Sequence, residues 1–141
     1  MASEGIVFAV IAAVAYAVLN LTQQQASAHI NPLLGAAVIS VSALLVELLL
    51  IAPQARSIAI PDTRFILILA VAGVAAFGVD FFALKSYASG IPLSIGAPII
   101  IGGGIALASL IGLFALGESV TLMKILGILL VVAGASVLAS L

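Results

Sequence analysis

The chain has 141 residues, of which 65% are hydrophobic and 6% are charged, and its formal net charge is −1. A soluble domain carries about 25% charged residues, so this composition predicts an integral membrane protein. The sequence has no cysteine and a single histidine, His29, which excludes a disulfide framework and a cysteine- or histidine-based zinc site. It also has no basic run, which argues against nucleic-acid binding.

Five apolar runs are long enough to cross about 30 Å of hydrocarbon as helices. They predict spans at about residues 5–25, 33–52, 65–85, 92–116 and 120–140. No basic residue precedes the first run, so we expect it to be a retained span and not a cleavable signal peptide. No linker is long enough to separate domains. We therefore predict one all-α transmembrane domain over residues 1–141, built as a polytopic helical bundle.

Proline, glycine and hydroxyl residues mark the ends of the predicted helices. The segment 29–32 ends the first span at its proline, and 85–90 is predicted to form a turn. Pro92 suits a first helical position. Gly117 suits the end of the fourth helix, and Ser119 or Thr121 is the candidate N-cap of the fifth.

An odd number of spans places the two termini on opposite sides of the membrane. Arg56, Arg64 and Lys124 fall on the side of the N-terminus, and only Lys85 falls on the other side. The positive-inside rule therefore predicts a cytoplasmic N-terminus for a multi-pass protein of the inner membrane. Three basic residues on one side against one on the other is a small difference, so insertion in both orientations remains open.

Two acids lie inside predicted spans, where a charge is expensive and tends to face a cavity or a partner. Asp80 falls in the third of its span farthest from the N-terminal side, and Glu47 falls in the opposite third of the second span. An inverted second copy would bring its Glu47 close to the depth of Asp80. Each carboxylate is a candidate to carry a proton or hold a cation. For Asp80 the alternative is a salt bridge or hydrogen bond to a neighbouring helix, and for Glu47 a structural role is favoured further by the nearness of the membrane interface.

The first span carries uncharged polar side chains on one face. They are Tyr16, Asn20, Gln23 or Gln24, and Ser27, each three or four residues from the last. The end of this stripe farthest from the N-terminus is expected at the same membrane depth as Asp80. Such a stripe is typical of a solute-binding vestibule, and helix–helix hydrogen bonding explains it equally well.

The fourth span combines a proline with three glycines near mid-depth. Pro98 cannot donate to the carbonyl of Ser94, which predicts a kink or local unwinding. Interrupted helices at this depth bind substrate in transporters, so Ser94, Pro98 and Gly103 join the candidate substrate pathway. A tolerated kink is the alternative.

Small residues recur at helical spacing in the last two spans, where they allow backbones to approach closely. The predicted packing residues are Gly104, Ala108 and Gly112 in the fourth span and Gly127 and Gly134 in the fifth. Contacts within one chain and contacts between two subunits both fit this pattern.

Three short patterns in the C-terminal half carry a family resemblance: Ala83-Leu84-x-x-Tyr87, Leu116-Gly117-Glu118-x-x-Thr121, and Gly127 with Gly134 seven residues later. With them the chain resembles the drug/metabolite transporter superfamily, at the size of one five-span EamA-type module. The resemblance implies a transporter without cofactors, and a lone module implies an antiparallel homodimer that rebuilds an inverted repeat. The fourth and fifth spans also resemble the small multidrug resistance branch, but that branch has four spans and an acid in the first, which this first span lacks.

Three functions remain open at this point. The first is a secondary carrier that moves a small solute by alternating access, with proton coupling as an option. The second is a lipid-linked sugar flippase, and the third is a non-transporting accessory subunit. Enzyme activity is not expected, because the sequence offers no nucleophile–base pair or metal cluster.

Overall fold

The structure is a computed structural model that describes residues 2–59 and 61–140. It contains five α-helices: α1 (Ala2–Ser27), α2 (Pro32–Ile51), α3 (Thr63–Ala88), α4 (Leu93–Phe114) and α5 (Leu122–Ala139), with a 3₁₀ turn at Ala52–Gln54 after α2. Each α-helix is long and apolar enough to cross a membrane. The predicted all-α class with five transmembrane helices is confirmed. Residues 1, 60 and 141 of the predicted domain lie outside the described residues.

Local chemistry sets the helix ends. Asn31 caps α2 by accepting a hydrogen bond from the backbone N–H of Leu33 at 2.9 Å, and Pro32 fills the first helical position. Asp62 caps α3 in the same way through the N–H of Arg64. Of the two candidate caps of α5, Thr121 is the one used, with the N–H of Lys124 as its donor.

Several features differ from the sequence prediction. Pro92 is the N-cap of α4 and not its first residue, and Gly117 lies beyond the last residue of α4, Phe114. Helix α3 continues to Ala88, so the first residues of the predicted turn at 85–90 are still helical, and the chain reverses at Gly90, whose φ of +95° suits glycine. Helix α4 runs without interruption through Pro98, so the predicted local unwinding is not found. A single proline removes only one hydrogen bond, and the rest of the helix retains its own.

The described chain forms two compact units. The first contains α1 as far as Asn20, together with α4 and α5; the second contains the end of α1 from Leu21, together with α2 and α3. In the first unit α4 packs on α5 at Gly102, where an added Cβ would lie 3.3 Å from the Cβ of Ala135. In the second unit α2 packs on α3 at Gly35, where an added Cβ would lie 2.7 Å from Cδ1 of Leu84.

Most large apolar side chains of the chain are exposed, including those along the middle of every helix. Apart from four glycines, the buried set among the described residues is small and partly polar: Ala36, Ala83, Leu84, Tyr87, Ala106, Asn20, Gln23, Ser27 and Asp80. A water-soluble protein would reverse this pattern, whereas lipid favours apolar side chains on the outside and polar ones within. The burial pattern therefore agrees with a membrane protein.

Candidate functional site

The candidate site lies in the second unit and is built by one face of α3 and the last turns of α1. On α3, Asp80, Ala83, Leu84 and Tyr87 are buried at the spacing of one helical face. On α1, Gln23 and Ser27 are buried and lie four residues apart, which places them on one face as well.

A hydrogen bond joins the two faces. The side-chain amide Nε2 of Gln23 donates to Oδ1 of Asp80 at 2.8 Å, across 57 positions of sequence. Gln23 is 3% exposed and Asp80 is 9% exposed, so the bond is shielded from its surroundings. In a low-dielectric environment such a bond is stronger than it would be in water.

The partner of Asp80 is neutral. Among residues 2–59 and 61–140, the described ion pair is between Lys124 and Glu118, and the Asp80 carboxylate is bonded to the uncharged amide of Gln23. A buried carboxylate without a positive partner carries a high desolvation cost when ionised. The arrangement therefore suits a group that binds a proton or a cation and releases it again.

A cavity of about 170 Å³ lies beside this pair and is lined by the ends of α1 and α3 and the start of α2. Thr22 and Gln23 give it polar atoms, and Gly35, Val38 and Leu84 give it apolar walls. It has room for a few waters or a small group next to the Gln23 side chain.

The other predicted pathway residues are divided between the two units. Glu47 is exposed on α2, and Gln24 is half-buried with its backbone carbonyl accepting from the Ser27 hydroxyl. In the first unit, Asn20 is buried and donates to the carbonyl of Tyr16 at 2.9 Å. Also in the first unit, Pro98 is half-buried, and Ser94 and Gly103 are exposed.

Of the predicted packing residues, one is buried against a neighbouring side chain and the others are not. Gly112 is buried, and an added Cβ there would lie 3.0 Å from Oε1 of Glu118. Gly104, Gly127 and Gly134 have no described atom near the position of an added Cβ, and Ala108 is exposed. Among the described residues, the close contact of α4 with α5 is at Gly102 instead.

Sequence reasoning missed Gly35, Ala36 and Leu84 as neighbours of the site. A usable signal was present in the Ala83-Leu84-x-x-Tyr87 pattern, whose three residues are all buried on the face of α3 that carries Asp80. The small pair Gly35-Ala36 in the first turns of α2 was a second signal, because small residues mark close helix contacts in membranes.

Comparison with protein families gives a match over nearly the whole chain. The profile of the family described as EamA-like transporter family matches residues 3–140. No curated protein matches the chain, and no solved structure matches it.

Proposed function

The chain belongs to the EamA-like transporter family, and we propose that it moves a small solute across the membrane as a secondary carrier, with the Gln23–Asp80 pair at its binding site. The family and the five apolar helices make it a multi-pass membrane protein of a transporter class. The carrier mechanism and the site are the proposed part.

The observation that carries the proposal is the buried Asp80 with its neutral partner. An acid in a membrane-spanning helix costs about 2.5–3.5 kcal/mol on insertion scales, and an apolar residue at this position would avoid that cost. Function is the usual reason for such an acid. Gln23 donates one hydrogen bond of 2.8 Å to the Asp80 carboxylate. The carboxylate can therefore still bind an incoming ammonium group or proton.

Alternating access requires the site to open to each side in turn, which inverted repeats provide. We propose that a second copy in the opposite orientation supplies the other half. Glu47 lies seven residues, about 10 Å, before the end of its span at Gln54, and Asp80 lies eight residues, about 12 Å, before Ala88 at the opposite face. Inversion therefore brings the exposed Glu47 of one copy to nearly the depth of Asp80 in the other.

Replacing Gln23 by methionine tests the pair. Methionine keeps the length of the side chain but removes the donor, so we expect gradient-driven uptake into liposomes to fall by about tenfold, the value of one hydrogen bond to a charged group. The matched control is Gln25→Met, at an exposed position on the same helix, which should retain uptake within about twofold.

Two outcomes contradict the carrier proposal. One is a purified wild-type protein that moves no amine, metabolite or cation under a proton or solute gradient. The other is equal uptake by the Gln23→Met and Gln25→Met variants, which would show that transport does not depend on the Gln23–Asp80 hydrogen bond.

Single-cysteine labelling tests the antiparallel arrangement, since the sequence contains no cysteine of its own. Ser57, after α2, and Ser89, at the end of α3, are exposed and lie at opposite faces. In sealed vesicles an impermeant maleimide should label about half of the Ser57→Cys molecules and about half of the Ser89→Cys molecules, because both orientations insert. Full labelling of one variant and none of the other shows a fixed orientation and contradicts the antiparallel dimer.

A further inference from the structure

A cleft of about 550 Å³ lies between α4 and α5 in the first unit, away from Asp80 in the sequence and in a different unit. It begins where α4 ends and α5 starts. From that end, one wall of the cleft runs along α4 from Leu113 to Ile105, and the other runs along α5 from Met123 to Val131. Each wall covers nine residues, or eight steps along the helix, so the cleft extends about 12 Å from the membrane surface toward the midplane.

The mouth of the cleft carries one negative and one positive charge. Nζ of Lys124 lies 3.3 Å from Oε2 of Glu118, and the two side chains are 41% and 54% exposed. The Glu118 carboxylate also lies against Gly112, and the Glu118 backbone N–H donates to the Gly112 carbonyl at 3.1 Å. Glu118 is therefore held in place at the mouth, while the flexible Lys124 side chain reaches across to it.

The interior of the cleft is apolar and open. Ile105, Ile128 and Val131 line it, and Ser109 adds one hydroxyl. Gly127 faces it with no described atom within 4 Å of an added Cβ. The missing side chain at Gly127 keeps the two helices from filling the space between them.

We propose that this cleft binds a phospholipid with a primary-amine headgroup, of the phosphatidylethanolamine type. Its phosphate pairs with Lys124, its ammonium pairs with Glu118, and the upper part of one acyl chain lies along the apolar walls. An exposed ion pair contributes little to stability, so opening it to admit the headgroup has a low cost. The depth of the mouth matches the headgroup layer, because it lies at the ends of two transmembrane helices.

Charge complementarity favours a lipid over a second copy of the chain. A partner for this mouth must offer an anion and a cation close together at the membrane surface. An antiparallel copy would present the opposite face, where Lys85 is the exposed charge among the described residues and the acid, Asp80, is buried. A phosphoethanolamine headgroup offers both charges with the required proximity.

The test uses native mass spectrometry of the full chain released from vesicles that contain equal parts of phosphatidylethanolamine, phosphatidylcholine and phosphatidylglycerol. The wild type should retain phosphatidylethanolamine about tenfold more than phosphatidylglycerol, which lacks the ammonium. Glu118→Gln should remove this preference. Gly127→Leu should fill the cleft and reduce retention of all three lipids, while Gly73→Leu, at an exposed and uncrowded position on α3, should retain the wild-type pattern.

Three results overturn the proposal. The first is equal retention of the three lipids by the wild type. The second is an unchanged pattern in the folded Glu118→Gln variant. The third is efficient disulfide formation between copies of a Gly127→Cys variant, because a second copy would then occupy the cleft. None of these measurements depends on transport, so failure here is distinct from failure of the carrier proposal.

Discussion

Replacing Asp80 by asparagine is expected to reduce solute uptake to the level of protein-free liposomes while the protein stays folded. Asparagine has nearly the same shape and keeps an oxygen that can accept from Nε2 of Gln23, so the contact at 2.8 Å survives. What it loses is the capacity to hold a proton or to neutralise a cation. Uptake by purified protein in liposomes, driven by a proton gradient, measures this loss.

The same substitution is expected to raise stability, which separates a functional acid from a structural one. An ionised acid inside the membrane carries an insertion cost that neutral asparagine avoids, so the free energy of unfolding should rise by about 1–3 kcal/mol. If the hydrogen bond to the charged carboxylate outweighed this cost, exchanging it for a bond to a neutral amide would lower stability instead. Denaturant titration in mixed micelles measures the direction.

Asp62→Asn is the matched control for Asp80→Asn. It makes the same chemical change on the same helix, at an exposed position where asparagine caps a helix as well as aspartate does. Uptake and stability should both stay near wild type. Normal uptake by Asp80→Asn, or equal loss in the two variants, would remove Asp80 from the proposed binding site.

The second large effect is expected at Gly35, where α2 approaches α3 beside the Gln23–Asp80 pair. An added Cβ would lie 2.7 Å from Cδ1 of Leu84 and 3.4 Å from Cγ2 of Ile30. Leu84 is 1% exposed, so its Cδ1 has to shift among buried neighbours to admit the new methyl group. Gly35→Ala should therefore lower the free energy of unfolding by about 1–3 kcal/mol through overpacking, measured in mixed micelles.

A double-mutant cycle identifies the cause of this loss. Leu84→Ala removes the atoms that an alanine at position 35 would strike, so the penalty of Gly35→Ala should nearly vanish in the Leu84→Ala background. Gly73→Ala is the control, because its position is open and alanine is the better helix former. Additive effects of Gly35→Ala and Leu84→Ala would show that the close approach is not the source of the destabilisation.

The resemblance drawn from three short patterns is confirmed by the family match over residues 3–140. Residues of those patterns also make specific contacts in the structure. Ala83, Leu84 and Tyr87 form the buried face of α3 around Asp80, and Glu118 and Thr121 form the turn that leads into α5. The resemblance therefore pointed to the parts of the chain where side chains are held by specific contacts.

Polar periodicity predicted part of the candidate site but not its pairing. The stripe on α1 left Gln23 and Gln24 as alternatives, since both lie at helical spacing from Asn20. Only the contact with α3 distinguishes them, because it is Gln23 whose amide reaches Asp80. A choice between adjacent residues depends on the rotation of one helix against another, which a one-dimensional pattern does not encode.

Small-residue spacing was ambiguous for the same reason. The run Gly102-Gly103-Gly104 begins three different stripes, and the sequence favoured the one through Ala108. The structure uses the stripe from Gly102 to Ala106, because Gly102 is the glycine that lies against Val131 and Ala135. Gly104, Gly127 and Gly134 remain candidates for contacts outside the chain.

The sequence by itself determined that the helices lie in lipid, how many helices there are, and where most of them end. Twenty or so apolar residues without a charge must form a membrane helix, because lipid offers no partner to an unpaired backbone amide. Tertiary structure alone decided that Asp80 bonds to Gln23, that Gly35 meets Leu84, and that Glu118 and Lys124 stand at the mouth of a cleft. Those contacts join residues on different helices or across a turn, so they depend on helix rotation and depth, which packing fixes and composition does not.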